Sequence, residues 1–177
     1  MSEYRILSGN KLYTGHNISL RIDKVQLSSG QLTEREVIEH RGAVAIVALG
    51  ADGRILLEKQ FRHAVNKELL EIPAGGIDHG ETPEDAAKRE LQEETGYYPK
   101  KLIRLCGFYS APGFTNEYLH LFLAYELVPS RLIADDTEEI EIIWTPLHDA
   151  AEMIRKGEIE DAKSIVGLLY YLKFIPA

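Results

Sequence analysis

Three glutamates, Glu90, Glu93 and Glu94, stand at spacing i, i+3, i+4 in Arg89-Glu90-Leu91-Gln92-Glu93-Glu94. On a helix that spacing puts three carboxylates on one face, with Cβ atoms only ~5–6 Å apart. Like charges so placed repel, by about 0.2–0.5 kcal/mol per exposed pair. They also lie toward the helix C-terminus, the wrong end for anions by the macrodipole argument. Selection for stability alone disfavours such a cluster, and a divalent cation resolves both objections. Hard carboxylate oxygens suit Mg²⁺ or Mn²⁺, which bind through a few carboxylates and keep waters for substrate phosphates. The competing reading is a solvated acidic face. Arg89 and a glycine-bracketed loop ahead of the segment weigh against it.

The elements that must position these residues are visible around them. The helix is expected over 83–95, with Thr82 as N-cap, Pro83 at N1, Asp85 at N3 and Gly96 as the C′ stop. Before it, Ala43 to Leu49 is a continuous apolar run, which predicts a strand buried on both faces. Ala51-Asp52-Gly53 is a turn, Ile55 to Phe61 another strand, and Leu69 to Ile72 a short strand stopped by Pro73. Strands follow over 102–109, 118–127 and 140–145, then a helix from 147 to 156 ending at Gly157. A last helix over 161–174 carries Ile165, Leu168, Leu169 and Leu172 at helical spacing. Residues 1–41 read as β-rich and polar, with a hairpin or meander from Ser19–Leu27 through Ser28-Ser29-Gly30 to Glu34–His40. This stretch is short of apolar residues for an independent fold, so it is expected to rest on a second surface such as another subunit. The pattern is mixed α/β without regular βαβ alternation.

Composition narrows the class. The 177 residues, 45% hydrophobic and 27% charged, suit one soluble globular domain with some excess and exclude disorder or a disulfide scaffold. Net charge is −8, which removes the counterion-release drive for nucleic acid and attraction to an anionic membrane. Phosphate ligands stay open, since local arginine or bound metal reverses the field at a site. The single cysteine, Cys106, lies in an apolar strand-like context and reads as a small buried hydrophobe. No signal peptide and no ~20-residue apolar span is found, so the cytoplasm is the expected compartment.

The segment from Gly75 to Tyr97 resembles the Nudix box, G-x5-E-x7-R-E-U-x-E-E-x-G-U, where U is a bulky apolar residue. Gly75, Glu81, Arg89, Glu90, Leu91, Glu93, Glu94 and Gly96 fall in register without a gap, and Tyr97 takes the last U position. The resemblance implies an α/β Nudix fold, a mixed β-sheet sandwiched between helices, over 42–177, with 1–41 as an N-terminal β extension for dimerisation. It implies metal-assisted hydrolysis of a diphosphate that links a nucleoside to a second group. Glu90 and Glu94 would be metal ligands, Glu93 a ligand or base, and Arg89 the group holding the glutamates by charge-assisted hydrogen bonds. Glu81 would support that network.

The flanks are similar to the ADP-ribose pyrophosphatase branch of the family. They are Lys59-Gln60-Phe61-Arg62, Glu71-Ile72-Pro73-Ala74, the Ala111-Pro112-Gly113 turn with Pro112 placed 16 residues after Gly96, and Gly157 to Lys163. That resemblance implies Mg²⁺-dependent cleavage of ADP-ribose to AMP and ribose 5-phosphate, with Mn²⁺ as substitute, in a homodimer with exchanged N-terminal strands. The Ala74 carbonyl would join the metal ligands. Arg62 would bind the diphosphate region, where a guanidinium fork fits. Ala111, Pro112, Gly113 and Glu117 would line the terminal ribose, and Arg35 would reach a substrate in the partner subunit. Glu138 would be a further ligand or the base, with Asp136 and Glu139 as near alternatives. His63, His79 and His120 read as structural, because the carboxylates already supply hard ligands. The alternatives are another nucleoside diphosphate sugar as substrate, or a Nudix-fold sensor that binds ADP-ribose without cleaving it; the intact set of Arg89, Glu90, Glu93 and Glu94 argues against the sensor.

Overall fold

In the computed structural model, which describes residues 5–132 and 139–175, the chain divides into two units. One comprises Met1–Gly42 with Phe108–Tyr118, the other Ala43–Gly107 with Leu119–Ala177.

In the first unit, β1 (Arg5–Thr14), β2 (Ile18–Gln26) and β3 (Leu32–His40) form an antiparallel sheet in that order. β2 and β3 are the expected pair, joined by a turn in which Gly30 takes a φ of 86° and Leu27 N–H donates to Gln31 O at 2.9 Å. β1 is a finding that alternation does not predict. Its apolar residues come as neighbours, Ile6-Leu7 and Leu12-Tyr13, and its pairing with β2 slips between Ile6 and Ser8 and between Lys11 and Tyr13. Each slip resets which face the following residues occupy. Every residue of β1 is exposed. The end of β3 is tied to the 108–118 segment: Ile38 N–H donates to Phe114 O at 2.8 Å, and His40 N–H donates to Asn116 Oδ1 at 2.7 Å.

The second unit is built on β4 (Ala43–Leu49), β5 (Arg54–Arg62), β6 (Lys67–Glu71), β7 (Ala74–Gly76), α1 (Pro83–Glu90), β8 (Tyr97–Tyr109), β9 (Tyr118–Pro129), β10 (Glu141–Pro146), α2 (Leu147–Lys156) and α3 (Ala162–Phe174). The sheet runs β10-β5-β4-β9-β8, with β6 added to β5 and β7 to β4. β4 lies parallel to β9 and antiparallel to β5. Ala43 to Ala48 are all buried, as a strand covered on both faces requires. Val44, Ile46 and Ala48 meet Ala86, Ala87, Leu91, Phe122 and Ala124 on the α1 side. Val47 and Leu121 face α3, where a Cβ on Gly167 would come within 3.2 Å and 3.1 Å of their side chains. Helices therefore cover both faces of a mixed sheet, the expected α/β architecture. Isolated helices as short as α1 are marginal in water. Ala86 and Ala87 against β4, with Leu91 just beyond the end of α1, whose burial is worth about 1.5–3 kcal/mol, hold it in place.

Two expectations need correction. The helix does not run unbroken over 83–95: α1 ends at Glu90, and Leu91–Thr95 widen into one π-helical turn. Gly96 then stops it at a φ of 78°. Cys106 is half-buried, not buried, because β8 is the edge strand of the sheet. Burial still pushes its thiol up, so it stays protonated. Among the described residues, no helix is long and apolar enough to cross a membrane.

Candidate active site

The site is assembled by a strand, a loop and a helix that follow one another in the chain. β7 pairs with β4 and brings Ala74, Gly75 and Gly76 alongside Ala45, Val44 and Ala43. The loop turns at Gly80, with a φ of 83°, and Glu81 is fixed by accepting from Asp78 N–H at 3.1 Å. Thr82 caps α1, its hydroxyl accepting from Asp85 N–H at 3.2 Å. The helix then delivers Arg89 and Glu90 back over the loop that precedes it.

Arg89 organises this corner. Its Nε and Nη2 donate to the two oxygens of Glu81, each at 2.9 Å. Nη1 donates to Glu90 Oε1 at 2.8 Å and to Glu93 Oε2 at 3.0 Å, and Nη2 also reaches Gly76 O at 2.9 Å. One guanidinium thus ties the loop, the helix and the π turn together, which a planar fork can do and an ammonium cannot. The Arg89 bonds hold the Glu81 carboxyl below the usual carboxylate range.

The π turn separates the three glutamates. Glu93 faces Arg89, whereas Glu94 turns inward, where its Oε2 accepts from Ala74 N–H at 3.1 Å. Single π turns inside α-helices recur at functional sites for this kind of re-aiming. Gly75 leaves the room that Glu90 fills: a Cβ at position 75 would stand 2.0 Å from the Glu90 carboxyl carbon.

A second layer comes from residues to which sequence reasoning gave no role. Glu58 on β5 and Glu71 on β6 lie opposite each other in the sheet, and both are 2% exposed. Arg62 donates to Glu71 through Nε at 2.8 Å and Nη2 at 2.7 Å, and Lys163 from the first turn of α3 donates to the same carboxylate. Ser164 holds Ile72 N–H at 2.8 Å, so α3 is pinned to the strand that precedes the loop. Glu58 meets Glu94, and burial pushes its carboxyl up to about 8, with the Glu71 charge adding to the rise against Lys163 and Arg62. Burial, then the charges of Glu58 and Glu90, push Glu94 well above the ordinary carboxylate range. Burial raises Glu90 as well, against the pull of Arg89. The available signal for Glu58 was a lone acid at an inward position directly after Ile55-Leu56-Leu57.

These carboxylates fit a divalent cation. Glu58, Glu90 and Glu94 are crowded, their charge is unfavourable to burial, and Glu58 Oε1 is buried with no hydrogen-bond partner. Among the described residues, no three acidic, His or Cys side chains already converge on one point as an ion cage. A cation at Glu90 and Glu94 would need further oxygen ligands from main chain or water, a shell that suits Mg²⁺.

Of the other residues singled out in the sequence, Arg35, Ala111, Pro112, Gly113 and Glu117 fall in the first unit. Arg35 and Gly113 line one concavity of ≈ 290 Å³ with Ile22, Glu34, Glu36 and Phe114. Ala111 O accepts from Phe114 N–H at 3.1 Å, closing the turn that carries exposed Pro112. Glu117 lies 3.8 Å from His40 Nδ1. Arg62, Ala74, Arg89, Glu90, Glu93 and Glu94 all belong to the second unit. Glu138 and Asp136 lie outside the described residues, and Glu139 is exposed. His63 and His79 are exposed. His120 Nδ1 lies 3.0 Å from Arg104 Nη2, and burial and that charge hold its pKa down.

Comparison with known proteins agrees with the geometry. Residues 39–166 match the NUDIX domain. The chain is 38% identical over 170 residues to the ADP-ribose pyrophosphatase of Bacillus subtilis (strain 168), covering 95% of this chain and 92% of the relative. It is 34% identical over 170 residues to the methanol dehydrogenase activator of Bacillus methanolicus, again covering 95% and 92%. A crystal structure of an ADP compounds hydrolase superposes with a TM-score of 0.88 at 22% identity, covering 98% of this chain and 94% of that one, which shows the shared fold. With a box in register, carboxylates seated around it and a domain match over most of its length, the chain belongs to the Nudix family.

Proposed function

We propose that this Nudix pyrophosphohydrolase cleaves the diphosphate of ADP-ribose to AMP and ribose 5-phosphate with Mg²⁺, Mn²⁺ serving as substitute. The observation that carries the hydrolytic reading is the half-buried pair of Glu90, seated against Gly75 and held by Arg89, and Glu94, held by Ala74 N–H. The choice of ADP-ribose rests on the full-length likeness to a relative of that name.

In this reading Glu90, Glu94 and the Ala74 carbonyl hold the cation, with Glu138 as a further ligand. Bound there, the cation supplies Lewis-acid charge neutralisation on the diphosphate and orients it. Arg89 keeps Glu90 and Glu93 in place. Arg62 binds the diphosphate and is aimed by Glu71. Glu93 or Glu138 takes the proton of the attacking water. Ala111, Pro112, Gly113 and Glu117 line the terminal ribose, and Arg35 serves a substrate in the partner of a homodimer with exchanged N-terminal strands. The fully exposed β1, which shows Ile6, Leu7, Leu12 and Tyr13 to solvent, supports residues 1–41 as the dimerising extension to the 42–177 domain. The acidic charge and the lack of a membrane-spanning helix among the described residues support a cytoplasmic enzyme without nucleic-acid or membrane partners.

Product analysis tests this. The protein is incubated with Mg²⁺ and ADP-ribose, ADP-glucose, GDP-mannose, NADH or diadenosine polyphosphates, and the products are resolved by chromatography. AMP and ribose 5-phosphate from ADP-ribose as the dominant outcome supports the reading. Preference for another nucleoside diphosphate sugar keeps the metal chemistry and overturns the substrate. No cleavage, with ADP-ribose still raising the melting temperature, makes the protein a sensor. Light scattering after size exclusion gives the subunit number.

A further inference from the structure

The crowding around Glu94 is not resolved by the residues of the Nudix box alone. Glu58 stands outside the box, on β5, and is 2% exposed. A buried carboxylate needs donors for both oxygens, and an oxygen left without one costs about 1–3 kcal/mol or more. Glu58 Oε1 has none. Its neighbour Glu94 is an acceptor as well, and the carboxyl groups of the two meet. The cations nearest to Glu58, Lys163 and Arg62, both donate to Glu71. Ala74 N–H is spent on Glu94. Two inward carboxylates thus share a place where the surrounding donors are committed to other acceptors. Nothing in packing asks for this: Leu56, two residues earlier and so on the same face of the strand, is fully buried, and an apolar residue at 58 would continue that face without an orphaned oxygen. A buried oxygen without a donor, on a carboxyl that meets a residue set to hold a cation, has two chemical uses, a proton shared with Glu94 or a further oxygen ligand, and the test below separates them.

We propose that Glu58 is a ligand of the divalent cation held by Glu94, supplied from β5 and independent of the box motif. The proposal rests on the metal-site reading of Glu94 given above. Glu58 from β5 and Glu90 and Glu94 from the box do not already converge as a finished cage; an ion that keeps water in its shell, such as Mg²⁺ or Mn²⁺, suits such a set.

The test is Mn²⁺ binding without substrate, followed by electron paramagnetic resonance of the free ion, on the full chain and on Glu58→Gln, Glu94→Gln and the double variant. Glutamine keeps the shape and can itself donate to Glu94, so the fold is kept; circular dichroism and the metal-free melting temperature check it. The expected result is a loss of Mn²⁺ affinity of about tenfold or more in Glu58→Gln, with the metal-free melting temperature unchanged or higher. In the double variant the losses are less than additive, because both residues serve one ion. Wild-type affinity in Glu58→Gln, with loss in Glu94→Gln, overturns the role of Glu58 and leaves the reading of Glu94 standing. That is the result expected if the two carboxyl groups merely share a proton. Absence of Mn²⁺ binding by the unaltered protein overturns both. If Glu58→Gln fails to fold, Glu58→Asp is measured in its place, where a shorter carboxylate must likewise weaken binding.

Discussion

The Glu90 carboxyl occupies the space in which a side chain on residue 75 would begin, with its carbon 2.0 Å from the position of a Cβ there. Gly75 is not among the glycines with left-handed backbone, so alanine meets no conformational strain at this position. The glycine is required by its neighbour's side chain and not by its own torsion angles. Gly75→Ala must therefore displace Glu90 while leaving β7 paired with β4. The expected outcome is a folded protein whose Mn²⁺ affinity falls by about 10–100-fold. A manganese titration beside a circular dichroism spectrum checks it, and unchanged affinity in a folded variant refutes the displacement.

Arg89→Lys isolates the value of the fork. Lysine keeps the charge but cannot bridge both oxygens of Glu81 and still reach Glu90 and Glu93. Bonds between charged partners are worth about 1.5–3 kcal/mol, and at least one is lost. Unfolding in urea should show a destabilisation of that order. Turnover should fall by about tenfold or more, since Glu90 and Glu93 lose the group that orients them. Wild-type turnover with lowered stability would make Arg89 a purely structural residue.

Most of this architecture could be read from residue patterns, and the exceptions share a cause. The buried β4 run, the Thr82 cap, the Gly96 and Gly157 stops and the α3 helix each follow from local rules and stand within a residue or two of their expected place, although Leu169 and Leu172 of the α3 stripe are exposed and only Leu168 is fully buried. β1 could not be read, because two register slips break the period that identifies a strand. The π turn could not be read either: Glu90, Glu93 and Glu94 have ordinary helical spacing, and only the demand of Ala74 N–H and the buried interior turns Glu94 away from Glu93. The second layer was hidden for a different reason. Glu58 and Glu71 face each other only through the β5–β6 pairing, and Lys163 comes from α3, 92 residues beyond Glu71, so no helical or alternating spacing relates them. The box motif carries the glutamates proposed as ligands, whereas their supports are set by tertiary structure.

Glu81 gives the site a signature in acid. Arg89 holds its carboxyl below the ordinary range, so in a window beneath about pH 4.3 the unfolded chain binds a proton there that the folded chain does not. Stability then rises with pH across that window. The contribution is complete above the ordinary pKa and is lost as pH falls through the lowered folded value. Glu81→Gln removes it. Urea unfolding between pH 3 and 7 should show a smaller stability at neutral pH and a shallower fall on the acid side than in the unaltered protein. Curves that stay parallel down to the lowest pH would mean that the Glu81–Arg89 pair contributes nothing to the acid limb.

Lys163 separates support from contact. It donates to Glu71, whose two oxygens also receive the Nε and Nη2 of Arg62, and it comes from the helix whose Ser164 fixes Ile72. Burial pushes the Glu71 carboxyl up, and Arg62 and Lys163 together bring it below the usual value, so it is charged and grips both cations. Lys163→Met keeps the stem and removes the charge. Glu71 then leans on Arg62 alone, and the arginine is drawn toward it. If Arg62 binds the substrate diphosphate, KM should rise severalfold while kcat stays within about threefold, the pattern of lost substrate binding without loss of the chemical step. Stability should fall by about 1–3 kcal/mol for the lost charged bond. The same fall in stability with an unmoved KM would confine Arg62, Glu71 and Lys163 to a structural ion-pair network and take Arg62 out of the substrate site.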